Sequence, residues 1–211
     1  MFDKMIDVML NEAKDFDRIV FDTAAVANAI RLIGLSKIYG LWLSRMIQSR
    51  KEALSLRVQL SFRKEKVEEE VRKDPMLADL MDMNDRFTRV KKLLVDPEVT
   101  AFFFVTLPLT LPISAVRRFI QQVQAYDIPV GGVLVNSCIR ADEARRAAAD
   151  EYLQNKFREQ EGYIRVIQED LGPLVRSYIP LYKNEVHGLE ALREVSRDMF
   201  APADASLYLA S

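Results

Sequence analysis

Arg18-Ile-Val-Phe-Asp22-Thr23-Ala24 is the stretch on which the reading of this chain turns. Two aliphatic residues and a Phe between Arg18 and Asp22 predict a short buried strand. Asp22 stands at its carboxyl end, and Thr23 and Ala24 start a turn into a helix. In open α/β sheets ligands bind just outside the carboxyl ends of the strands. A carboxylate there is where a Mg²⁺-nucleotide site keeps its Asp. Asp is also a favoured helix N-cap, so both readings of Asp22 stand at this point.

Working outward, residues 2–14 carry Phe2, Met5, Ile6, Met9, Leu10 and Ala13 at helical spacing. Residues 26–33 predict a short helix ending near Gly34. From Ser36 to about Val95 there is no credible strand. Ser36 can cap a long helix with Ile38, Leu41, Trp42 and Ile47 on one face. That helix runs into the mixed-charge segment Arg63–Lys73, read as a solvated face. Asp74-Pro75 interrupts it, since Pro suits a helix start. The next helix has Leu77, Leu80, Met81, Phe87, Val90 and Leu94 in register.

Alternation of strand and helix resumes with Ala101–Thr106, a helix opened by Pro112, the strand Val130–Val135 ending in Asn136, a long helix over 140–169, the strand Val175–Ile179, a loop over 180–187 and a helix over 188–199. Near-continuous apolar strands between helices predict an α/β fold, a mostly parallel sheet covered by helices on both faces. A helical subdomain is inserted after the first strand. The domain reading is 1–35 with 96–200 as the α/β part, 36–95 as the insertion and 201–211 as a loose tail. The ligand edge would carry Asp22, Thr106 with Pro108, Asn136 and the 180–187 loop.

Composition narrows the function classes. The formal net charge is -1, which predicts no general attraction to nucleic acid. One Cys excludes an intrachain disulfide, and one Cys with one His argues against a self-contained zinc site. The longest apolar run, Val99 to Leu107, is too short for a bilayer. A soluble cytoplasmic protein is the expectation.

Several of these segments together resemble one family, the arsenite-pump ATPase (ArsA) and its relatives that target tail-anchored membrane proteins. These are deviant-Walker P-loop ATPases, grouped with MinD. The run Phe21-Asp22-Thr23-Ala24-Ala25-Val26-Ala27-Asn28-Ala29-Ile30-Arg31 is similar to the family's second nucleotide-sensing switch, Phe-Asp-Thr-Ala-Pro-Thr-Gly-His-Thr-Leu-Arg. Phe104-Val-Thr-Leu-Pro108 resembles its Val-Thr-x-Pro strand end. Ile128-Pro-Val-Gly-Gly-Val-Leu-Val-Asn136 is close to Ile-Pro-Val-Gly-Gly-Val-Val-Val-Asn. Pro180-Leu181 with Glu185-Val186-His187-Gly188-Leu189 resembles Pro-Leu…Glu-(Ile/Val)-Arg-Gly-Leu.

The resemblance implies ATP or ADP with Mg²⁺ as ligand. Asp22 would lie near the metal, Asn136 would bond the adenine edge, and Pro180, Leu181, Tyr182, Glu185 and Val186 would cover the base. Asn also bonds its own backbone readily in turns, and the residues alone favour that role for Asn136. The resemblance further implies a dimer, or a partner chain supplying ATPase elements, and an apolar client segment held by the inserted helices. Met46, Met76, Met81 and Met83 would suit such a surface. A buried packing stripe through Leu77, Leu80 and Met81 is the simpler account of the same helices.

The departures from the family are as informative. No Gly here is followed by Lys, and none precedes Gly34, so a Walker-type phosphate loop is not in this sequence. The switch residues Pro-Thr-Gly-His-Thr become Ala25-Val26-Ala27-Asn28-Ala29, losing the glycine and both hydroxyls. Hydrolysis by this chain alone is therefore not expected, and a diverged relative explains the pattern better than simple truncation. A non-catalytic scaffold derived from the same family is the alternative. Aligned on Ala144-Arg145, the family's zinc-binding Cys-x-x-Cys falls on Ile139 and Asp142, so no such zinc is expected.

Overall fold

The computed structural model describes residues 2–22, 26–60 and 74–210. The segments Thr23–Ala25 and Arg63–Lys73, and the side chains of Val26–Arg31, on which the switch and charge-run readings rest, lie outside what is described. The chain divides into two units, Met1–Thr100 and Ala101–Ser211.

The first unit is helical. Helix α1 (Phe2–Asp7) continues into a π turn, Val8–Glu12, and a 3-10 turn, Ala13–Asp15. Helix α2 (Val26–Gln59) is continuous. It passes through Gly34 and Ser36, where the sequence predicted an end and a new cap. Helix α3 (Pro75–Val95) starts as expected: Asp74 caps it by accepting from the Leu77 N–H at 2.8 Å, with Pro75 in the first turn. Arg50 of α2 donates to the same Asp74 carboxylate at 2.7 and 3.4 Å, fixing the two helices together. That ion pair holds the Asp74 carboxyl below its usual range.

The face that α2 buries differs from the predicted one. Leu43 and Leu54 are buried, with Ile47 and Arg50 half-buried between them, a stripe at helical spacing. Ile38, Leu41 and Trp42 are exposed, Leu41 at 64%. A helix apolar on two sides can turn only one of them to a single partner helix, and α3 takes the 43–47–50–54 side. On α3, Leu80 and Val90 are buried, but Met81 is 49% exposed and so is not part of the packing stripe.

Residues 18–22 form no strand. Val20 is 90% exposed and Phe21 is exposed. Apolar composition alone does not make a strand; its N–H and C=O groups need a ladder partner, and this segment pairs with none.

The second unit is α/β, with three parallel strands in one open sheet and helices around it. The order is β1 (Phe102–Thr106), β2 (Val130–Cys138), β3 (Val175–Pro180). Helix α4 (Thr110–Gln124) joins β1 to β2, with Ile113, Val116, Ile120 and Val123 buried. The predicted helix over 140–169 is two, α5 (Ala141–Arg146) and α6 (Glu151–Leu171). The break falls at Asp150, which caps α6 through the Leu153 N–H, and not at Gly162. Helix α7 (Gly188–Phe200) follows β3. Val133, Val135, Ile164 and Ile167 are fully buried between the strands and helices.

The Gly131-Gly132 pair lets side chains of the two outer strands lie across the middle one. A Cβ on Gly131 would sit 2.6 Å from the Phe103 ring, and one on Gly132 would sit 2.4 Å from Arg176 Cγ. Gly132 also has φ +152°, a conformation L side chains rarely adopt. Arg176 Nε donates to Gly131 O at 2.7 Å across this gap.

Residues 201–210, expected to be a loose tail, fold back instead. Ala205–Tyr208 is a 3-10 turn, and Tyr208 is buried with its hydroxyl donating to Tyr178 O at 3.0 Å. An aromatic ring with a polar tip supplies the anchor that the small residues lack.

Candidate functional site

Because the strands are parallel, Thr106, Asn136 and Pro180 all come to the carboxyl edge of the sheet. There β2 is irregular. Its register against β3 shifts between Val135 and Cys138, and Ser137 has φ +60°. A non-glycine residue in the left-handed region is strained. Asn136 supports the kink, its side-chain oxygen accepting from the Ser137 N–H at 2.9 Å. Cys138 beyond it is fully buried, and burial pushes its thiol up to about 12. It is therefore an inert packing residue.

The chain leaves β2 under close control. Gln160 of α6 is buried and reads the Ile139 backbone in both directions: its Oε1 accepts from Ile139 N at 2.6 Å, and its Nε2 donates to Ile139 O at 2.8 Å. This fixes the next residue, Arg140, at the start of α5. From β3 the ladder extends one residue further, Leu181 N–H donating to Cys138 O at 2.8 Å. The loop 181–187 is thus launched beside Arg140.

Between that loop, the start of α5 and one side of α7 lies a cleft of about 730 Å³. Its walls are Arg140 and Glu143, the run Pro180 to Val186, and Ala191, Glu194, Arg197 and Asp198. The volume is within the range of small-molecule sites. Asp198 joins the walls: it accepts from Tyr182 Oη at 2.6 Å and from Arg140 at 3.1 Å. Burial and the Asp198 carboxylate push the Tyr182 phenol upward, so it stays a donor. Arg140 Nε is buried with no hydrogen-bond partner.

The structure therefore gathers Pro180, Leu181, Tyr182, Glu185 and Val186 into one cleft. Asn136 lies on the same sheet edge but does not line it. Asp22 lies in the first unit, exposed and off the sheet. Of the methionines, Met76, Met81 and Met83 are exposed and Met46 is half-buried. Among the described residues no cluster of His, Cys, Asp or Glu could hold a metal ion. No described helix is long and apolar enough to cross a membrane.

Arg140, Gln160 and Asp198 were not singled out in the sequence. Asp198 carried a signal: a carboxylate in the last turn of a helix opposes the helix dipole and needs a partner. Gln160 carried none, because a Gln on a mixed helix face does not announce a distant backbone partner.

Residues 1–201 match the sequence model of the anion-transporting ATPase family. The chain belongs to that family. It is 26% identical over 193 residues to the ATPase GET3A of Arabidopsis thaliana, covering 92% of this chain and 54% of that protein. It is 30% identical over 215 residues to the ATPase ARSA1 of Chlamydomonas reinhardtii, covering 96% and 26%. A putative arsenical pump-driving ATPase 2 of Aquifex aeolicus is 23% identical, covering 93% and 61%. The chain thus spans about half the length or less of the first two relatives.

Proposed function

We propose that this family member binds the adenine end of a nucleotide at the carboxyl edge of β2 and β3, and does not hydrolyse ATP with its own residues alone. The observation that carries the reading is the cleft itself, walled by the 180–186 run and entered beside Arg140. The base end fits this chain. Leu181 and Val186 offer apolar surface, the backbone of the loop offers donors and acceptors, and Arg140 places a cation in the wall. Asn136 has its carboxamide oxygen engaged by Ser137, so its NH₂ group is the one available to a base. The phosphate end does not fit, for no Gly-Lys sequence is present to cradle it. When bound, Mg²⁺ would travel with the phosphates.

Calorimetry with Mg-ATP and Mg-ADP tests this. Micromolar affinity that is lost on Asn136→Ala is the expected result. No heat at millimolar nucleotide would overturn the reading.

A second reading rests on a different observation, the exposed apolar side chains of the helical unit. Ile38, Leu41 and Trp42 on α2, and Met76, Met81 and Met83 on α3, would be costly to leave in water without a use. We propose this unit as a surface for an apolar segment, with a dimer or partner chain completing the assembly in the cytoplasm. Such a scaffold needs no nucleotide turnover.

A further inference from the structure

We propose that Asp198 is the positioning residue of the cleft. It clamps the loop wall, through Tyr182, to the α5 wall, through Arg140, and so sets the width of the slot that takes a flat heterocycle. The proposal rests on the nucleotide reading of the cleft given above.

Three observations converge on this carboxylate. First, both of its oxygens are used, Oδ2 by the Tyr182 hydroxyl at 2.6 Å and Oδ1 by Arg140 at 3.1 Å. Second, its position is unfavourable by itself. Asp198 lies in the last turn of α7, where the helix C-terminus carries partial negative charge. A cation and a hydroxyl donor offset that cost. Third, the loop has little else to hold it. Among the described residues, the Tyr182 hydroxyl makes the one side-chain hydrogen bond between Leu181 and His187. The backbone anchor at its start is Leu181 N–H to Cys138 O.

The Arg140 wall has more backbone support. Its backbone follows Ile139, which Gln160 holds from both sides. The clamp therefore ties the loop wall to the wall whose backbone Gln160 holds. Arg140 gives one nitrogen to Asp198, and its guanidinium also interacts with the hydroxyl of buried Tyr208. Asp198 thereby also sets the orientation of the Arg140 guanidinium in the cleft wall, which makes it a determinant of which base fits.

The test combines amide hydrogen exchange over residues 182–187 of the nucleotide-free protein with calorimetry using ADP and GDP. Asp198→Ala and Tyr182→Phe should each raise exchange across the loop by about tenfold or more, with Tm nearly unchanged. The double variant should exchange no faster than Asp198→Ala, because both changes remove one clamp. ADP affinity should fall by about tenfold, and the ratio of ADP to GDP affinity should narrow. Tyr182→Phe is conservative enough to report if Asp198→Ala fails to fold. Unchanged loop exchange in Tyr182→Phe would overturn the proposal, as would fully additive effects. If wild-type protein binds neither nucleotide while exchange responds as stated, the nucleotide reading fails and the clamp stands.

Discussion

Residues 1–100 and 101–211 draw on the same residue types and bury them to different degrees. In the second unit, β2 and α6 carry Val133, Val135, Ile164 and Ile167, all fully buried. In the first, Leu43 is fully buried while Leu41 and Trp42, on the next faces of the same helix, are exposed. The cause lies in the architecture. The central strand β2 is paired on both edges and buries Val133 and Val135, while the edge strand β1 buries Phe104 and Thr106 and leaves Phe103 and Val105 exposed. A helix pair consumes one stripe per helix. Both units keep exposed apolar residues, Leu41 and Trp42 in the first and Leu111 and Phe200 in the second; the second unit adds a fully buried sheet core and a cleft at the strand ends.

That contrast can be broken by substitution. Ile164→Ala should cost about 3–5 kcal/mol, because it opens a cavity where packing is complete. Urea unfolding followed by circular dichroism would measure it, and a cost under about 1 kcal/mol would mean the second unit has no such core. Gly132→Ala should cost about 1–3 kcal/mol, since the new Cβ would lie 2.8 Å from Leu174 O as well as against Arg176, at φ +152°.

Alkaline titration sharpens the comparison from another side. Burial pushes Cys138 from its ordinary 9.0 up to about 12, and Tyr178 from 10.0 up to about 12. Both groups hold their protons more tightly when folded. Their contribution is therefore complete below about pH 9 and is lost as pH rises from there toward about 12. The loss for Cys138 is on the order of 1 kcal/mol at about pH 10. Cys138→Ala should flatten the first part of that decline in a pH series of melting curves.

The smallest expected effect lies in the first unit. Leu41→Ser should change stability by less than about 0.5 kcal/mol and Met81→Ser by less than about 1 kcal/mol, because Leu41 is 64% and Met81 49% exposed. The same changes should weaken capture of an apolar helical peptide. A large stability loss would show that this surface is packed.

These regions were also unequally legible in the sequence. Strands β1, β2 and β3 were visible because apolar runs flanked by turn residues leave few alternatives, and their parallel order followed from the intervening helices. The 180–186 loop was found through its family-like residues, and the structure gathers them. Residues 18–22 had the same apolar look and form no strand, since strand formation depends on a partner that composition does not reveal. The buried stripe of α2 was misassigned because Ile38, Leu41 and Trp42 mimic a core face as well as Leu43 and Leu54 do. Arg140 and Asp198, distant in sequence, meet only after β3 and α7 are placed.

The central claim is that the loop after β3 covers an adenine base. Photolabelling with 8-azido-ATP, followed by mapping of the modified peptide, addresses it most directly. The label should fall within Pro180–Val186, compete with ADP, and drop sharply in Asn136→Ala. Labelling spread over the helical unit, or labelling insensitive to ADP, would contradict the account.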